Sequence, residues 1–428
     1  MGHYEILGIE ASLDEAGLVQ GKVTGALGPQ LQGYLDFYLA QLNNNPVLAV
    51  RNGGNVYSLF QPAIPSKAAV LDLTRKLMRK LLGRTIPSTC TLSTINTCQA
   101  DCIHCSARQS MQQTKEQLST EEFKAAVDQA LELGVVNVTL SGGEPLLRKD
   151  LFEIISHVDP DKANCMMFTN GELLTKENVR RLKEAGIFSV MVSLDSPRAG
   201  EHDALRRRPG MFDKALQGIR NMLEEGVLAG ISTYATHENV ANGDLEAIMR
   251  LGGELGAQEV VIFDSVPTGA FLRNCECILG DSERDKIRTW TEQWRADPAL
   301  PSCISMSWVN SPQGAGCFAA NEQFYMTAWG DIGPCDFTPF TFGNVQEEPL
   351  ETIWMRMLAH PAYQAAHQRC RMQDPDFRRS YIDPLPEDVE LPVQVWKHPE
   401  LFKETSGDFK PEPSAKQARV GSPASLGC

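Results

Sequence analysis

All twelve cysteines of this 428-residue chain lie at or after Cys90, and none precedes it. A secreted disulfide scaffold would be short and evenly studded, so these cysteines point to metal binding or catalysis instead. Positive charge is also in deficit, with 40 Lys and Arg against 54 Asp and Glu and a net charge of −14. That balance argues against a chain built to grip DNA, RNA or an anionic membrane. No apolar run approaches the roughly 18 residues of a membrane span. The opening Met1–Glu10 has neither the basic region nor the apolar core of a signal peptide. Gly2 suits a myristoylation start, but Ile6 stands where that motif wants Ser or Thr. A cytoplasmic protein is expected, long enough for two or three domains.

The cysteines fall into groups. Thr91–Thr97 alternates like a strand and runs into Cys98-Gln-Ala-Asp-Cys102-Ile-His-Cys105, a C-x3-C-x2-C spacing. Three tightly grouped thiolates suit tetrahedral zinc with one position open. They suit equally an iron–sulfur cubane with one iron free of protein ligand. A looser set of cysteines follows residue 270, which suggests a second site in a separate domain.

Residues 1–85 read as an α+β region of their own. A helix is expected over Leu31–Leu42, broken at Asn43–Pro46, then a hairpin over Val47–Phe60 turning at Asn52-Gly53-Gly54. Lys67–Leu82 is amphipathic and strongly basic, with Arg75, Lys76, Arg79 and Lys80. Its apolar stripe is expected to pack on the domain and its charges to face solvent. No winged-helix pattern of the kind that binds leader peptides is recognisable here.

From Cys90 to about Gly269 strands and helices alternate. Strands are expected near 91–97, 135–140, 165–168, 187–194, 227–235 and 259–263. Ser119-Thr-Glu-Glu122 reads as a capping box. Repeated βα units require a parallel sheet with right-handed crossovers, and six make three-quarters of a TIM barrel. Chemistry is then expected at the carboxyl ends of the strands, where the polar clusters fall. After Pro375 the chain is charged and rich in proline, and its last twenty or so residues have a disordered composition.

One βα unit beyond the cysteines, the second strand ends in Ser141-Gly-Gly-Glu-Pro145. Its glycines let the backbone approach a ligand closely. The cysteine motif with this segment resembles the radical S-adenosylmethionine (SAM) enzymes. The resemblance implies a [4Fe–4S] cluster on Cys98, Cys102 and Cys105, with SAM chelating the open iron. It implies that Gly142, Gly143 and Glu144 meet the SAM amino group, Asn170 lines the pocket and Ser193 and Asp195 meet the ribose. Arg206, in the segment His202-Asp-Ala-Leu-Arg206, would pair with the SAM carboxylate, and Val266–Gly269 would border adenine. A solvated basic run is the alternative reading of Arg206–Arg208, and Cys165 is expected to be a small buried residue.

Cys317 followed by Gly330-Asp-Ile-Gly-Pro-Cys335 resembles the opening of the SPASM and twitch domains, as does Phe342–Val345 with Leu350–Trp354. The cysteine run that usually follows is reduced to Cys370. The resemblance therefore implies a shortened domain with one auxiliary iron–sulfur cluster on Cys317, Cys335 and Cys370. Cys303, Cys275, Cys277, a non-cysteine group or substrate is left as fourth ligand, with zinc or no metal as the alternative for that site.

The expected architecture is α/β: an N-terminal extension (1–85), a partial (β/α)6 TIM-like barrel (86–298), a small auxiliary-cluster domain (299–375) and a partly disordered tail (376–428). The implied activity is reductive cleavage of SAM, with a 5′-deoxyadenosyl radical abstracting a substrate hydrogen. Peptide or protein maturation and cofactor or natural-product biosynthesis are the implied settings, with a haem-like, lipid or other small molecule as the alternative. A bare iron–sulfur electron carrier would not need the SAM pocket. A flavodoxin- or ferredoxin-type electron donor is the implied partner, with no nucleic acid and no membrane contact.

Overall fold

The computed structural model describes residues 8–26, 28–83, 85–108 and 113–398. Residues 399–428, which include the stretch of disordered composition, lie outside the described residues.

Six parallel strands follow the expected order: β5 (Thr89–Ile95), β6 (Asn137–Gly142), β7 (Asn164–Thr169), β8 (Ser189–Ser193), β9 (Leu228–Ala235) and β10 (Glu259–Asp264). Their residues are buried on both faces, as a sheet covered by helices requires. Between β5 and β6 the helix Thr120–Leu133 starts at Ser119 with the capping box complete, Ser119 and Glu122 each serving the other's backbone N–H. The other crossover helices, including Leu151–His157, Lys176–Glu184, Met211–Glu224 and Asp244–Leu255, cover the outer face.

The sheet does not stop at six strands. β11 (Ser302–Ser305) pairs parallel with β10, and β12 (Gln323–Met326) pairs parallel with β5. β13 (Asp331–Gly333) and β15 (Gly343–Asn344) continue it antiparallel, giving the order β11-β10-β9-β8-β7-β6-β5-β12-β13-β15. A division at residue 298 therefore cuts through one continuous sheet, and the cysteine-rich C-terminal region is wired into the barrel by backbone hydrogen bonds. The tail also returns, since β14 (Phe340–Thr341) pairs with β16 (Val393–Gln394).

The N-terminal region closes the other end of the barrel. A hairpin of β1 (Gly8–Leu13) and β2 (Val19–Thr24), which alternation alone did not reveal, packs with the helices Gly28–Asn43 and Lys67–Leu82. A second hairpin, β3 (Ala49–Arg51) and β4 (Gly54–Val56), turns through Asn52 and Gly53 at φ 52° and 80°. These left-handed angles suit an Asn-Gly turn. Beyond it, Val56, Leu59 and Ala63 pack against Met166, Met191, Leu228 and Val261 of the barrel strands. Full burial of a side chain such as Leu59 contributes about 1.5–3 kcal/mol. The polar groups are matched as well. Leu59 N and Ser58 Oγ donate to the buried Glu259 carboxylate over 2.8 and 3.1 Å, and Ser189 Oγ donates to Leu59 O.

The basic helix departs from expectation. Three of its charges are not left to solvent: Arg79 pairs with Glu322 at 3.1 Å, Arg75 donates to Gly134 O, and Lys76 meets Asp72 at 2.7 Å and Tyr38 Oη at 3.1 Å. The long side chains reach past the apolar stripe and dock the helix on the barrel.

Candidate active site

The cysteine loop begins where β5 ends, and the two glycines after β6 make room for it. A Cβ on Gly143 would stand 2.1 Å from Thr97 O, and one on Gly142, whose φ is 132°, would stand 2.4 Å from Ile95 O. Gly143 N donates to Ile95 O and Glu144 N to Thr97 O, over 2.7 and 2.9 Å. The close approach these glycines permit is thus that of the cysteine loop's own backbone. Gly269, at φ 51°, does the same from the far side of the site, since a Cβ there would strike Cys105 O at 2.2 Å. Segments after β6 and β10 therefore clamp the loop that leaves β5.

Cys98, Cys102 and Cys105 pack together with Ala100 and Met211. Burial pushes all three thiols up, Cys105 to about 11, while Arg206 acts the other way on Cys102. Donors stand ready for thiolate sulfur: Ala100 N lies 3.4 Å and Asn170 Nδ2 3.9 Å from Cys98 Sγ, and Arg206 Nη1 lies 3.8 Å from Cys102 Sγ. Among the described residues no group of three or more His, Cys, Asp or Glu converges tightly enough for a single metal ion. Three thiols packed together, each given N–H or guanidinium support or charge relief, are a donor set that fits an iron–sulfur cluster.

The surrounding polar residues are linked to each other. Glu144 is fully buried, and its carboxylate accepts from Thr169 Oγ1 at 2.7 Å, Asn170 N at 2.9 Å and Leu146 N at 3.2 Å. Burial raises its pKa against those donors. Three of its roughly four lone-pair positions are taken, and the carboxylate itself does not line the cavity. Asn170 thus ties Glu144 to Cys98. Asp195, 4% exposed, accepts from Arg206 Nε at 2.6 Å, and His104 Nε2 lies 3.3 Å from the same oxygen. Burial alone would push the Asp195 carboxyl up, but Arg206 and His104 hold it well below the usual carboxylate range. Ser193 lines the cavity without a partner of its own in this network.

The segment around Arg206 is not a solvated run. His202 Nδ1 accepts from Asp195 N at 3.1 Å, burial keeping that imidazole neutral, with its pKa down to about 4. Asp203 accepts from Gly210 N and Phe212 N and so starts the following helix. Arg208 pairs with Glu172 and Arg207 with Asp101, each at 2.9 Å with its guanidinium partly in solvent, so Arg206 is the one drawn into the site. Two groups escaped the sequence reading. Tyr234 on β9 stacks on His104 with ring centroids 4.2 Å apart, and His104 Nδ1 is buried without a hydrogen-bond partner. A polar aromatic near the carboxyl end of a barrel strand was the available signal.

The second cysteine group forms on the C-terminal strands. Cys317 and Cys335 are buried, Cys370 is half-buried, and Cys317 lies close enough to the other two to push the Cys335 and Cys370 thiols up beyond the effect of burial. Thr338 Oγ1 lies 2.9 Å from Cys335 Sγ. Gly316, at φ 82°, lets Cys317 N reach His367 O at 2.7 Å, which brings the Cys370 loop alongside. Cys303 is in β11 beside Arg295 and Glu259, and Cys275 and Cys277 occupy a separate short turn. Cys165 is buried in β7 as expected. Both cysteine groups line the same cavity of about 550 Å³, together with Gly142, Gly143, Asn170, Ser193, Asp195 and Arg206.

Residues 92–252 match the radical SAM superfamily, and residues 317–378 match the SPASM iron–sulfur cluster-binding domain. The Fe-coproporphyrin III synthase of Methanosarcina barkeri is 36% identical over 292 residues, covering 60% of this chain and 71% of that protein. The AdoMet-dependent heme synthase of Nitratidesulfovibrio vulgaris is 27% identical over 281 residues, covering 60% and 76%. In three dimensions the fold is similar to Streptococcus suis SuiB bound to the precursor peptide SuiA. There the TM-score is 0.53 and the identity 16%, over 79% of this chain and 78% of that one. The chain belongs to the radical SAM superfamily and carries a C-terminal SPASM domain.

Proposed function

We propose that this radical SAM enzyme performs an oxidative modification of a substrate seated in the 550 Å³ cavity that both cysteine groups line. That shared cavity is the observation that carries the reading. Cys98, Cys102 and Cys105 would hold the [4Fe–4S] cluster, and Cys317, Cys335 and Cys370 the auxiliary one. Bound there with SAM, the first cluster supplies one-electron cleavage of a carbon–sulfur bond and a radical that abstracts substrate hydrogen.

The chain's own share is placement and shielding. Asn170 and Ala100 hold Cys98 through N–H···S contacts, and Arg206 does so for Cys102. Gly142 and Gly143 line the space for the SAM amino group, and the fully buried Glu144 would support it through its bonds to Thr169 and Asn170. Arg206 keeps guanidinium hydrogens beyond those given to Asp195 for the SAM carboxylate, and Asp195, Ser193 and Asn170 line the space for the nucleoside. The N-terminal segment around Leu59 packs apolar side chains against the far end of the barrel, which would limit water there and so protect a reactive intermediate.

A flavodoxin- or ferredoxin-type donor would supply the electron. The eleven described cysteines form no disulfide, which supports a reducing, cytoplasmic setting. No helix among the described residues is long and apolar enough to cross a membrane. The test is anaerobic reconstitution followed by iron and sulfide analysis and assay of 5′-deoxyadenosine. Two clusters per chain, with SAM cleavage abolished by the Cys98→Ala, Cys102→Ala, Cys105→Ala triple variant, are expected. Undiminished cleavage by that variant would refute the assignment.

A further inference from the structure

We propose that the cavity takes an aromatic or apolar substrate group ending in a protonated amine or similar nitrogen donor, directed at Asp264 and Asp336, and not a polycarboxylate. The proposal rests on the reading that both cysteine groups border one substrate cavity.

The apolar part is recognised by a chain of rings. Phe60 from the N-terminal segment lies 6.1 Å from Phe168 on β7, Phe168 lies 6.0 Å from Phe263 on β10, and Phe263 meets Phe337 edge-on at 6.0 Å. All four line the cavity, so the aromatic wall runs from the barrel plug to the auxiliary cysteine loop. Ring pairs of this geometry receive further aromatic groups well, and their faces attract cations.

The charge sits at the auxiliary end. Asp264, at the end of β10, lines the cavity and is only 4% exposed. Its Oδ1 accepts from Ser307 Oγ at 2.7 Å, while Oδ2 is buried with no hydrogen-bond partner. A buried carboxylate oxygen left unsatisfied is costly unless a ligand supplies the missing donor. Asp336 follows Cys335, lines the same cavity and has no ion-pair partner among the described residues. Asp264 stands near Cys370, so both carboxyls border the second thiol group, whose thiolates would add negative charge.

The cations that line the cavity are already engaged. Arg206 pairs with Asp195, Lys76 with Asp72, and Arg295 Nε donates to Cys303 O at 2.6 Å. A porphyrin polycarboxylate would therefore meet two carboxyls and, among the described lining residues, only Arg295 as a cation with no carboxylate partner. An amine would satisfy Asp264 Oδ2 and offset Asp336.

The experiment is anaerobic equilibrium dialysis of the full-length holoenzyme with SAM, using phenethylamine, 3-phenylpropionate and Fe-coproporphyrin III as probes. The amine is expected to bind at least about tenfold more tightly than the acid of the same ring, the preference one desolvated charge pair supplies. In the Asp264→Asn, Asp336→Asn double variant that ratio should fall toward one. Asp336→Asn alone, with iron content and circular dichroism, serves if the double variant folds poorly. Equal or tighter binding of 3-phenylpropionate or Fe-coproporphyrin III by protein carrying both clusters would overturn the proposal. So would an unchanged ratio in the folded variant. A wild-type protein that takes up only one cluster would instead remove the reading beneath it.

Discussion

Arg206 reaches Asp195 through Nε at 2.6 Å and Cys102 Sγ through Nη1 at 3.8 Å, so one guanidinium joins the barrel's fourth strand to the cysteine loop. Asp195 is buried and charged, and Arg206 is the main reason it can be. Removing one member of a buried pair leaves an uncompensated charge and costs about 3–5 kcal/mol. Arg206→Ala should therefore lower stability by about that much in urea titrations and weaken SAM binding in dialysis. Arg206→Lys keeps the charge but not the fork, and should restore stability more than SAM affinity. A denaturation midpoint unchanged in Arg206→Ala would mean that Asp195 is not held this way.

Glu259 gives stability a dependence on pH. Burial pushes its carboxyl up to about 7 even though Leu59 N and Ser58 Oγ donate to it. Between the usual carboxylate range and pH 7 the folded protein then keeps a proton that the unfolded chain has lost. Stability must fall as pH rises through that window and level off above it. The full effect is of order 3 kcal/mol for a shift of this size. Glu259→Gln should remove this falling limb from stability measured between pH 4.5 and 7.5. A wild-type protein equally stable across that range would place the Glu259 proton elsewhere.

Gly143 makes the cysteine loop sensitive to a single methyl group. A Cβ 2.1 Å from Thr97 O cannot be accommodated by a side-chain rotation, because the obstacle is backbone. Gly143→Ala should keep its far-UV spectrum, since the strands around it are long-range paired, yet reconstitute with about half the iron of wild type. Full iron uptake by that variant would show the loop to be more yielding than its packing implies.

The parts legible in the sequence were those fixed by local chemistry. The thiol spacing, the Ser119 capping box and the alternation of β5 to β10 each depend on neighbours a few residues apart. What stayed hidden depends on distant partners. β11 and β12 are too short to announce themselves and join the sheet only by pairing with β10 and β5. Leu59 reads as an ordinary apolar residue until Glu259, 200 positions on, accepts from its N–H. The apolar stripe of the basic helix packs as expected, but its charges were misread for the same reason, because Arg79 finds Glu322 only in the fold.

That helix yields the next prediction. Lys76→Glu would set a carboxylate beside Asp72, which is only 10% exposed at its side chain. A loss of about 2 kcal/mol is expected, more than an isolated surface charge gives. A thermal midpoint within error of wild type would return the helix charges to solvent.

Cys335 separates the two cysteine groups functionally. It follows β13, and β13 is joined through β12 to β5, the strand that leads into Cys98. Small metal-held domains often unfold when a ligand is lost. Here the strands beside Cys335 belong to the main sheet, and Phe342, Trp354 and Met357 are buried in the main core. Cys335→Ala should therefore stay folded and lose about one cluster's worth of iron. The first cysteine group, Glu144, Asp195 and Arg206 do not contact Cys335 through any hydrogen bond of the network described. SAM should then still be cleaved to 5′-deoxyadenosine by the variant, in uncoupled form, while substrate conversion fails. Circular dichroism and the remaining cluster absorbance must accompany the assay, so that misfolding is not mistaken for chemistry. A folded Cys335→Ala protein that lacks the second cluster but converts substrate fully would remove Cys317, Cys335 and Cys370 from the reaction and leave them a structural role.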